Sequence, residues 1–294
     1  MPTNQLSPAQ AEQVLDLAAA ATAHDGVDPL NEEARFALRD DSAEHYLHHV
    51  GDRLAGYLIW LPLHHTGQLV VHPEFRRQGI GRTLVEQAFG VIDGAPAGST
   101  TRPVAIWAFG HLRAAQGFAS ALELSPVRGL LIMDRPLAEP VTPHVPDALQ
   151  LRGFEPADAA EVLTVNAAAF AHHPEQGSLD EAGLHARMAE PWFDPSGLIL
   201  GFDADGLAGF HWTKRMDART GEVYVMAVAP RAQGRGYGKA LLNAGLAHLQ
   251  RSGCDRVLLY VDMADQVAVR MYESAGFRVT HRDVLLAPKP KEQQ

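Results

Sequence analysis

The sequence predicts a mixed α/β (α+β) chain of two tandem domains, each a mixed, mostly antiparallel sheet flanked by helices. Three observations support this fold class. The 294 residues suit two domains of about 150 residues each. Helical and strand patterns follow the same coarse order in both halves. A glycine-rich passage also recurs without gaps at an offset of 157 residues, which indicates one duplicated domain rather than two unrelated ones.

The repeated passages are residues 69–85, LVVHPEFRRQGIGRTLV, and residues 226–242, MAVAPRAQGRGYGKALL. In both passages an apolar strand leads through a proline and a glycine loop into an amphipathic helix. A strand valine, the proline, the last two glycines and a helical leucine coincide. Glycine lets the backbone turn tightly and approach a ligand closely, so the loop is a candidate binding element.

The elements of the first half follow from caps and apolar spacing. Ser7 before Pro8 is a favourable start for a helix. The predicted order is helices at 7–24 and about 31–40, strands at 44–50, 53–61 and 68–72, a helix at 79–92, a strand at 103–108 and a helix at 111–120. Closing strands complete this half.

The second half repeats that order. It is predicted to contain helices at 156–170 and 179–189, strands at 197–203, 206–215 and 222–229, a helix at 236–251, a strand at 255–261 and a helix at 265–275. Asp203 to Gly206 is a plausible hairpin turn between the first two of these strands. Closing strands again follow.

A proline-rich segment separates the halves. Residues 134–150 contain four prolines, and proline removes a backbone donor and disfavours helix before it. We therefore expect an N-terminal domain at 1–136, an extended linker at 137–150 and a C-terminal domain at 151–294.

Composition excludes several classes of protein. The net charge of −10 argues against a general nucleic-acid binder, which needs clustered positive charge. The N-terminus lacks the features of a secretory signal, and no apolar run is long enough to span a membrane. One cysteine, Cys254, excludes an internal disulfide and is interpreted as a buried structural thiol. We expect a soluble, cytoplasmic, monomeric protein without a membrane or nucleic-acid partner.

Two further groups of residues have plain structural interpretations. His172 and His173 suggest a metal site, but no third ligand has recognisable spacing, so no metal is expected. The tryptophans are interpreted as packing residues rather than as a stacking platform; they are Trp60, Trp107, Trp192 and Trp212.

The glycine loop of the second half suits a pyrophosphate. It lies between a strand and a helix, and a helix N-terminus presents unpaired amides and the positive end of the helix dipole. Gly238-Lys239-Ala240 lacks the hydroxyl and spacing of a P-loop, and Gly234, Gly236 and Gly238 are not spaced as in a Rossmann fingerprint. A plain glycine turn remains the alternative for one such loop alone.

The loop and a distal segment together resemble the Gcn5-related N-acetyltransferase superfamily. The loop resembles its acyl-CoA signature, Q/R-x-x-G-x-G/A after a strand, in both halves, and Ala268, Tyr272, Gly276 and Phe277 resemble its distal element. Asp265 stands where many members have asparagine, but it is also an acceptable helix cap. The resemblance implies acetyl-CoA as co-substrate, bound by Leu69, Val70, Val71, Arg76, Arg77, Gln78, Gly79, Ile80 and Gly81 in the first half, and by Met226, Ala227, Val228, Gln233, Gly234, Arg235, Gly236, Tyr237, Gly238, Lys239, Asp265, Gln266, Val267, Ala268, Val269 and Arg270 in the second.

Nearly the whole chain is also similar to the mycothiol synthases of actinobacteria. The similarity includes Asp25-Gly26-Val27, residues 166–177 and Phe210 to Lys214. It implies acetyl transfer to the cysteinyl amine of desacetylmycothiol, a thiol-containing pseudodisaccharide, in the last step of mycothiol biosynthesis. The implied substrate contacts are Glu32, Glu175, Lys214, Glu222 and Tyr260. Glu32, Glu175, Lys214 and Tyr260 could each also be an ordinary structural residue of a helix, a loop or a strand.

The second half is expected to catalyse. Glu222 starts the repeated strand and is the candidate base, with a solvated strand-end charge as the alternative. It is expected to share a strand face with Tyr224 and Met226. Tyr272 is the candidate acid for the leaving thiolate, with a core tyrosine as the alternative.

The first half lacks both groups. At the 157-residue offset His65 stands in place of Glu222, and the distal segment at 111–122 has no tyrosine. We therefore expect the first half to retain a phosphate cradle that can bind acetyl-CoA without catalysing transfer. By resemblance to the superfamily, a strand bulge at Met226–Val228 should aim an amide at the acetyl carbonyl, and Leu69–Val71 is the matching segment.

Two other functions remain open at this point. The chain could acetylate another small amine, such as an aminoglycoside or an amino-acid conjugate. It could also be a non-catalytic acyl-CoA sensor, which two cradles would serve.

Overall fold

The structure is a computed structural model that describes residues 2–90, 104–171, 177 and 179–288. It divides into two compact units. Unit 1 combines the described residues of Met1–Leu130 with those of His281–Gln294, and unit 2 is Leu131–Thr280. The units thus begin and end at different residues from the predicted domains, whose boundaries stay a prediction. No described helix is long and apolar enough to cross a membrane.

The helices and strands occur in the predicted order. The helices are α1 (Pro8–Asp25), α2 (Glu32–Ala37), α3 (Ile80–Phe89), α4 (Arg113–Ala121), α5 (Ala159–Ala169), α6 (Glu181–Met188), α7 (Tyr237–Arg251) and α8 (Gln266–Ser274). The strands are β1 (Glu44–Val50), β2 (Arg53–Leu61), β3 (Thr66–Val71), β4 (Ile106–Ala108), β5 (Leu124–Pro136), β6 (Gln150–Gly153), β7 (Leu198–Asp203), β8 (Gly206–Arg215), β9 (Thr220–Val228), β10 (Arg256–Asp262) and β11 (Arg278–Pro288).

The sheet of unit 1 has the order β1-β2-β3-β4-β11. Its pairs are antiparallel except for β3 with β4, which run parallel. A capping box starts α1, because the Ser7 hydroxyl accepts from the Gln10 amide at 3.3 Å while the Gln10 side chain accepts from the Ser7 amide at 2.9 Å. Helices α1 and α2 bury one apolar cluster, and α3 and α4 bury a second one that includes Val284 and Leu286 of β11.

The sheet of unit 2 has the order β5-β10-β9-β8-β7-β6. One apolar cluster packs around α5 and α6 and includes Phe210 and Trp212; we call it the α5/α6 cluster. A second cluster packs around α7 and α8 and includes Leu246 and Tyr272; we call it the α7/α8 cluster. Helices therefore cover both faces of the sheet, and apolar side chains are buried on each.

Most predicted elements lie within a few residues of the observed ones. Residues 137–149 contain neither helix nor strand, as expected of the proline-rich segment, but residues 134–136 belong to β5. The short strand β6 was not predicted. Asp203 pairs with Gly206 across the predicted hairpin turn, where Gly206 has a φ of 103°. Cys254 is buried and free.

Candidate active site

Strands β9 and β10 of unit 2 separate at the position of the predicted site. Their parallel pairing runs from Thr220 with Arg256 to Val223 with Leu259, although β10 continues to Asp262. The backbone of β9 beyond Val223 therefore faces an opening rather than a paired strand. Parallel strands that diverge in this way leave amides that a ligand can use.

The direction of those amides follows from one hydrogen bond. The Ala229 amide donates to Ala208 of β8 at 2.9 Å. Because amide directions alternate along a strand, the amides of Val228 and Met226 point away from β8, towards the opening. In unit 1 the His72 amide donates to Ala55 of β2 at 2.9 Å, which sets the same alternation there.

The bulge lies earlier in the strand than predicted. Trp212 pairs with Val225, but the next residue of β8, Thr213, pairs with Val223, so Tyr224 is the extra residue. Pairing with β8 is regular over the predicted Met226–Val228 segment. In unit 1, Leu69–Val71 likewise pairs with β2 in regular register. The prediction of bulges at both segments is therefore wrong.

The bulge also changes which residues share a face. An extra residue reverses the alternation of side chains beyond it. Tyr224 packs against the α5/α6 cluster, whereas Met226 packs against the α7/α8 cluster. The expected common face of Glu222, Tyr224 and Met226 is therefore not formed.

The glycine loop of unit 2 forms a helix N-terminus open to a ligand. Gly234 and Gly236 have φ values of 77° and 81°, which favour glycine, and a side chain added at either would meet nothing within 4 Å. The amide of Ala240 makes a helical bond back to Gly236 at 3.2 Å. The preceding amides, those of Tyr237, Gly238 and Lys239, have no acceptor one turn earlier in α7. This cradle fits the pyrophosphate of acetyl-CoA.

The side chains of the loop have several roles. Gln233 donates to the Val228 carbonyl at 3.4 Å, which ties the loop to the end of β9. Arg235 lies 3.5 Å from Asp203, so part of its charge is balanced, while Lys239 is exposed. Tyr237 is buried in the α5/α6 cluster. Its ring is thus a packing group, and only its backbone faces the cradle.

Helix α8 begins as predicted. The Asp265 carboxylate accepts from the Ala268 amide at 2.9 Å and caps the helix. The predicted cofactor residues of α8 divide by burial: Val269 is buried, whereas Gln266, Val267 and Arg270 are exposed and Ala268 is half-buried. The exposed set lies on the solvent side of the helix start.

Glu222 and Lys214 lie opposite each other on β9 and β8. Glu222 is buried, one residue before the last pair of the β9–β10 ladder. The ammonium group of Lys214 lies 4.7 Å from the ring centre of Trp192 and 5.0 Å from that of Tyr224. Sequence reasoning missed this aromatic contact, since Trp192 was interpreted as a packing residue and Tyr224 only as a neighbour of Glu222.

Tyr272 lies on α8 within the α7/α8 cluster, with its ring 5.8 Å from that of Phe277. The side chain is 7% exposed, and burial raises the pKa of its phenol above the ordinary value. Among the described residues, no side chain or backbone group makes a hydrogen bond with its hydroxyl. The phenol therefore keeps its proton at neutral pH and has that proton to donate.

Unit 1 contains a corresponding cradle with a cavity of about 380 Å³. Gly79 has a φ of 84° and precedes α3, and Arg77 takes the left-handed conformation that Gly234 has in unit 2. Phe75, Trp107 and Phe118 supply apolar walls of the cavity. This shape and lining fit an acyl-CoA tail with its pyrophosphate at the helix start.

The first cradle also contains an ion pair that the sequence did not reveal. Both terminal nitrogens of Arg76 donate to the carboxylate of Asp25, at 2.8 and 2.6 Å, and its Nε donates to the Val71 carbonyl at 3.1 Å. The hydrogen bond from Arg76 lowers the pKa of Asp25. Arg76 thus ties the loop to the end of β3, as Gln233 ties the second loop to β9.

The strand register shows which residues of unit 1 stand at the catalytic positions. Gly67 pairs with the fourth residue of β2 after the partner of Val71, and Val223 pairs with the fourth residue of β8 after the partner of Val228. Thr66 therefore corresponds to Glu222. The sequence offset had aligned Glu222 with His65, and that alignment is wrong because the bulge adds one residue to β9 alone.

The helices give the equivalent of Tyr272. A side chain added at Gly81 would meet Phe118 of α4, and one added at Gly238 would meet Met271 of α8. Phe118 and Met271 thus correspond, and the next residue in each helix is Ala119 and Tyr272, respectively. Unit 1 therefore has threonine and alanine where unit 2 has the candidate base and acid.

The remaining predicted residues belong to different parts of the chain. Glu32 is the first residue of α2 in unit 1, directly after the capping residue Asn31. Tyr260 is 47% exposed on β10, just past the last pair with β9. Glu175, like the His172–His173 pair, lies outside the described residues. Within the described part of the chain, no group of three or more His, Cys, Asp or Glu side chains is placed to hold a metal ion.

Family models match both halves of the chain. The model for the "Acetyltransferase (GNAT) family" matches residues 166–277, and the model for the "Acetyltransferase (GNAT) domain" matches residues 41–118. Together with the separated strands and the two glycine cradles, these matches define the class: an acetyl-CoA-dependent N-acetyltransferase with two tandem GNAT domains.

Similar proteins extend over the whole chain. A mycothiol acetyltransferase of Propionibacterium freudenreichii is 41% identical over 100% of this chain and 94% of its own length. Those of Mycolicibacterium smegmatis and Streptomyces avermitilis are 42% and 43% identical, covering 96% and 95% of this chain and 96% and 92% of their own. The chain belongs to the mycothiol acetyltransferase family.

Solved structures agree on the fold. A GCN5-related N-acetyltransferase from Sphaerobacter thermophilus has a TM-score of 0.71 and 26% identity, covering 100% of this chain and 97% of its own. A tandem GNAT protein from the clavulanic acid biosynthesis pathway has a TM-score of 0.72 at 19% identity, covering 99% of both chains. The second likeness concerns the fold alone.

Proposed function

We propose that this chain transfers the acetyl group of acetyl-CoA to the cysteinyl amine of desacetylmycothiol, and that unit 2 performs the transfer. One observation carries the assignment to unit 2. A buried carboxylate, Glu222, lies one residue before the point where β9 and β10 separate, and the glycine cradle follows the far end of the same strand. A candidate base, an opening and a pyrophosphate site thus lie in sequence along one strand.

Different residues of unit 2 have separate roles in acetyl transfer to an amine. Acetyl-CoA supplies an activated acetyl thioester. The first-turn amides of α7 hold its pyrophosphate, and the amides of Met226 and Val228 are directed to the opening where the acetyl oxygen would lie. Tyr272 donates its proton, or a hydrogen bond, to the leaving sulfur.

Glu222 accepts the proton of the attacking amine, directly or through water. A cysteinyl α-amine has a reference pKa of about 7.7–8.0, so a weak base suffices near neutral pH. Glu222 is suited to this role by its burial at the end of the ladder. It also takes part in binding the acceptor.

The acceptor is a pseudodisaccharide with many hydroxyl groups, which need fixed donors and acceptors. We assign its recognition to Lys214, which lies opposite Glu222 on β8, to Tyr260, which lies on β10 just past the last pair with β9, and to Glu32 and Glu175 by the family resemblance. We further propose a cytoplasmic monomer without a nucleic-acid partner, since the chain is acidic and its one cysteine is free.

Unit 1 is assigned a binding role. Its cavity and its helix start suit acetyl-CoA, while Thr66 and Ala119 offer neither a base nor an acid. We therefore propose that unit 1 binds acetyl-CoA without turnover.

The proposal is tested by incubating the purified chain with acetyl-CoA and desacetylmycothiol and following the product by mass spectrometry. Thiol reagents are unsuitable as the primary readout, because the acceptor itself contains a thiol. The expected product gains one acetyl group, still reacts with a maleimide and no longer reacts with an amine-selective reagent, which together place the acetyl group on nitrogen. A product without a free thiol would contradict transfer to the amine.

Variants separate the assigned function from its rivals. Glu222→Gln should lower kcat by about 10²-fold or more, within the usual contribution of a general base, while Thr66→Val in unit 1 serves as the matched control and should leave kcat unchanged. A panel of other amines tests the rival acceptors. Tight binding of acetyl-CoA without turnover of any amine would instead favour a sensor.

A further inference from the structure

The connection between α1 and α2 is anchored at both of its ends in unit 1. We call residues 25–31, from the last residue of α1 to the residue before α2, the strap. At its start, the Asp25 carboxylate accepts two hydrogen bonds from Arg76, which follows β3. At its end, the Asn31 amide donates to the Gln68 side chain of β3 at 2.9 Å, and Gln68 Nε2 donates back to the Asn31 side chain at 2.7 Å.

The middle of the strap packs against the segment that follows β4. A side chain added at Gly110 would lie 2.8 Å from a methyl group of Val27, so the glycine allows Val27 to approach the backbone closely. The Gly110 amide donates to the buried carboxylate of Asp283 on β11 at 2.7 Å. The surface beneath Val27 is therefore itself held in place by a neighbouring strand.

The strap lies across the opening between β3 and β4. The parallel pairing of these strands ends at Gln68 with Trp107, although β3 continues to Val71. Residues 27–29 of the strap line the cavity of unit 1, as does the unpaired end of β3. Leu30 is buried in the apolar cluster of α1 and α2. The strap therefore closes the opening from the face of the sheet that α1 and α2 cover.

This position corresponds to the acyl end of a bound acyl-CoA. With its pyrophosphate at the start of α3, the pantetheine arm would follow the unpaired edge of β3 towards the point where the strands rejoin. The pair of Gln68 with Trp107 blocks further passage between the strands, and α3 and α4 cover the other face of the sheet. An acyl chain longer than acetyl would therefore have to extend into the strap.

We propose that the strap makes unit 1 selective for acetyl-CoA over longer acyl-CoA thioesters, and that Val27 sets the length limit. This inference rests on the proposed function, which assigns acyl-CoA binding to unit 1. The strap moves only if the pair of Asp25 with Arg76, whose side chains are 17% and 25% exposed, or the two bonds of Asn31 are broken. The space beyond the acetyl group is limited for this reason.

A closed and an open acyl end predict opposite effects of chain length. In an open apolar site, each further buried methylene group tightens binding by about 4-fold. In a closed site, the added groups must displace packed side chains, which weakens binding by about 5- to 150-fold. Butyryl-CoA has two more methylene groups than acetyl-CoA, so we expect it to bind unit 1 at least about 5-fold more weakly.

Binding to unit 1 is measured at Trp107, which lines its cavity. The chain has four tryptophans, so incorporation of 5-fluorotryptophan gives a small set of ¹⁹F signals, and the signal lost in Trp107→Phe belongs to Trp107. Titration of the full wild-type chain with acetyl-CoA or with butyryl-CoA, followed at this signal, gives a Kd for unit 1 apart from unit 2. A Kd for butyryl-CoA equal to or lower than that for acetyl-CoA would overturn the proposal.

A valine variant tests the length limit. Val27→Ala removes two carbon atoms, as many as butyryl adds to acetyl. It should lower the ratio of the butyryl-CoA Kd to the acetyl-CoA Kd by about 5-fold or more. Val14→Ala is the matched control, because Val14 is buried in the cluster of α1 and α2; it should lower stability and leave the ratio unchanged. A ratio that Val27→Ala does not change would refute the role of Val27.

A charge variant tests the anchor. Asp25→Asn keeps the shape of the side chain but removes the ionic part of its contact with Arg76, so the strap should open more easily and the Kd ratio should fall. Glu74→Gln is the matched control, because it weakens an exposed ion pair of the same unit, with Arg53. An equal Kd ratio in both variants would show that the ion pair does not hold the strap closed.

The Trp107 signal also distinguishes two kinds of failure. If neither thioester shifts the signal, the proposed binding role of unit 1 is wrong, and the length limit fails with it. If both thioesters shift it with equal Kd values, unit 1 binds acyl-CoA as proposed, and the selection by the strap is refuted. Acetyl transfer by unit 2 is measured separately, through the mass of the acetylated acceptor.

Discussion

Tyr272→Phe should separate catalysis from stability in unit 2. The phenol is 7% exposed, and within the described structure its hydroxyl has no hydrogen-bond partner that the substitution would strand. Removing an oxygen that lacks a buried partner should change the free energy of unfolding by less than about 1 kcal/mol. Loss of a general acid should nevertheless lower kcat by about 10²- to 10⁴-fold.

The assay compares kcat at saturation of both substrates with the midpoint of thermal unfolding. For a unit of this size, about 1 kcal/mol corresponds to roughly 2–4 °C, so the Tyr272→Phe midpoint should stay within that interval. Phe277→Leu is the control for packing, because its ring contacts Tyr272 and is fully buried; it should lower the midpoint. A Tyr272→Phe enzyme that keeps more than about a third of the wild-type kcat would show Tyr272 to be a core tyrosine only.

Three other outcomes are expected. The kcat/KM for the acceptor should rise with pH as its amine loses a proton at about pH 7.7–8.0. It should not fall again below about pH 10, because burial raises the pKa of Tyr272 above that of an exposed phenol. A fall between about pH 8 and 9 in a pH–rate profile would contradict the role of Tyr272 as the acid. Leu286→Ala should lower the free energy of unfolding by about 2–5 kcal/mol, because Leu286 is buried in unit 1. It should also speed hydrogen exchange at Ile106, which pairs with Leu286 from β4. Unchanged exchange would refute the placement of Leu286 in unit 1. Gly245→Ala should destabilise unit 2 by about 1–3 kcal/mol in urea titrations, because the added methyl group would lie 2.1 Å from the buried His211 ring. An unchanged stability would show that α7 can shift away from His211.

The internal repeat aligns the two halves of the chain correctly over one stretch and incorrectly over another. The 157-residue offset correctly aligns the strand ends and the glycine loops. It fails at the start of the strand, where the one-residue bulge at Tyr224 shifts the alignment from His65 to Thr66. A bulge has no reliable signal in a single sequence, because it is stabilised by cross-strand pairing and by packing on both sides of the sheet.

The same limit explains which functional contacts were missed. Asp25 and Arg76 are far apart in the chain, and their bidentate pair exists only because the end of α1 meets the end of β3. The contact of Lys214 with Trp192 and Tyr224 likewise joins three separate segments of the chain. Sequence patterns report local preferences, whereas such contacts depend on distant segments being brought together.

The sequence by itself determined the duplicated fold, the order of its elements and the two glycine cradles. These features are encoded locally, in apolar periodicity, helix caps and glycines with positive φ. Only the tertiary structure decided that residues 281–288 belong to unit 1, that β9 and β10 separate after Val223, and that Glu222 lies opposite Lys214. Those features depend on strand register and long-range packing, which a change of one residue in one strand is enough to alter.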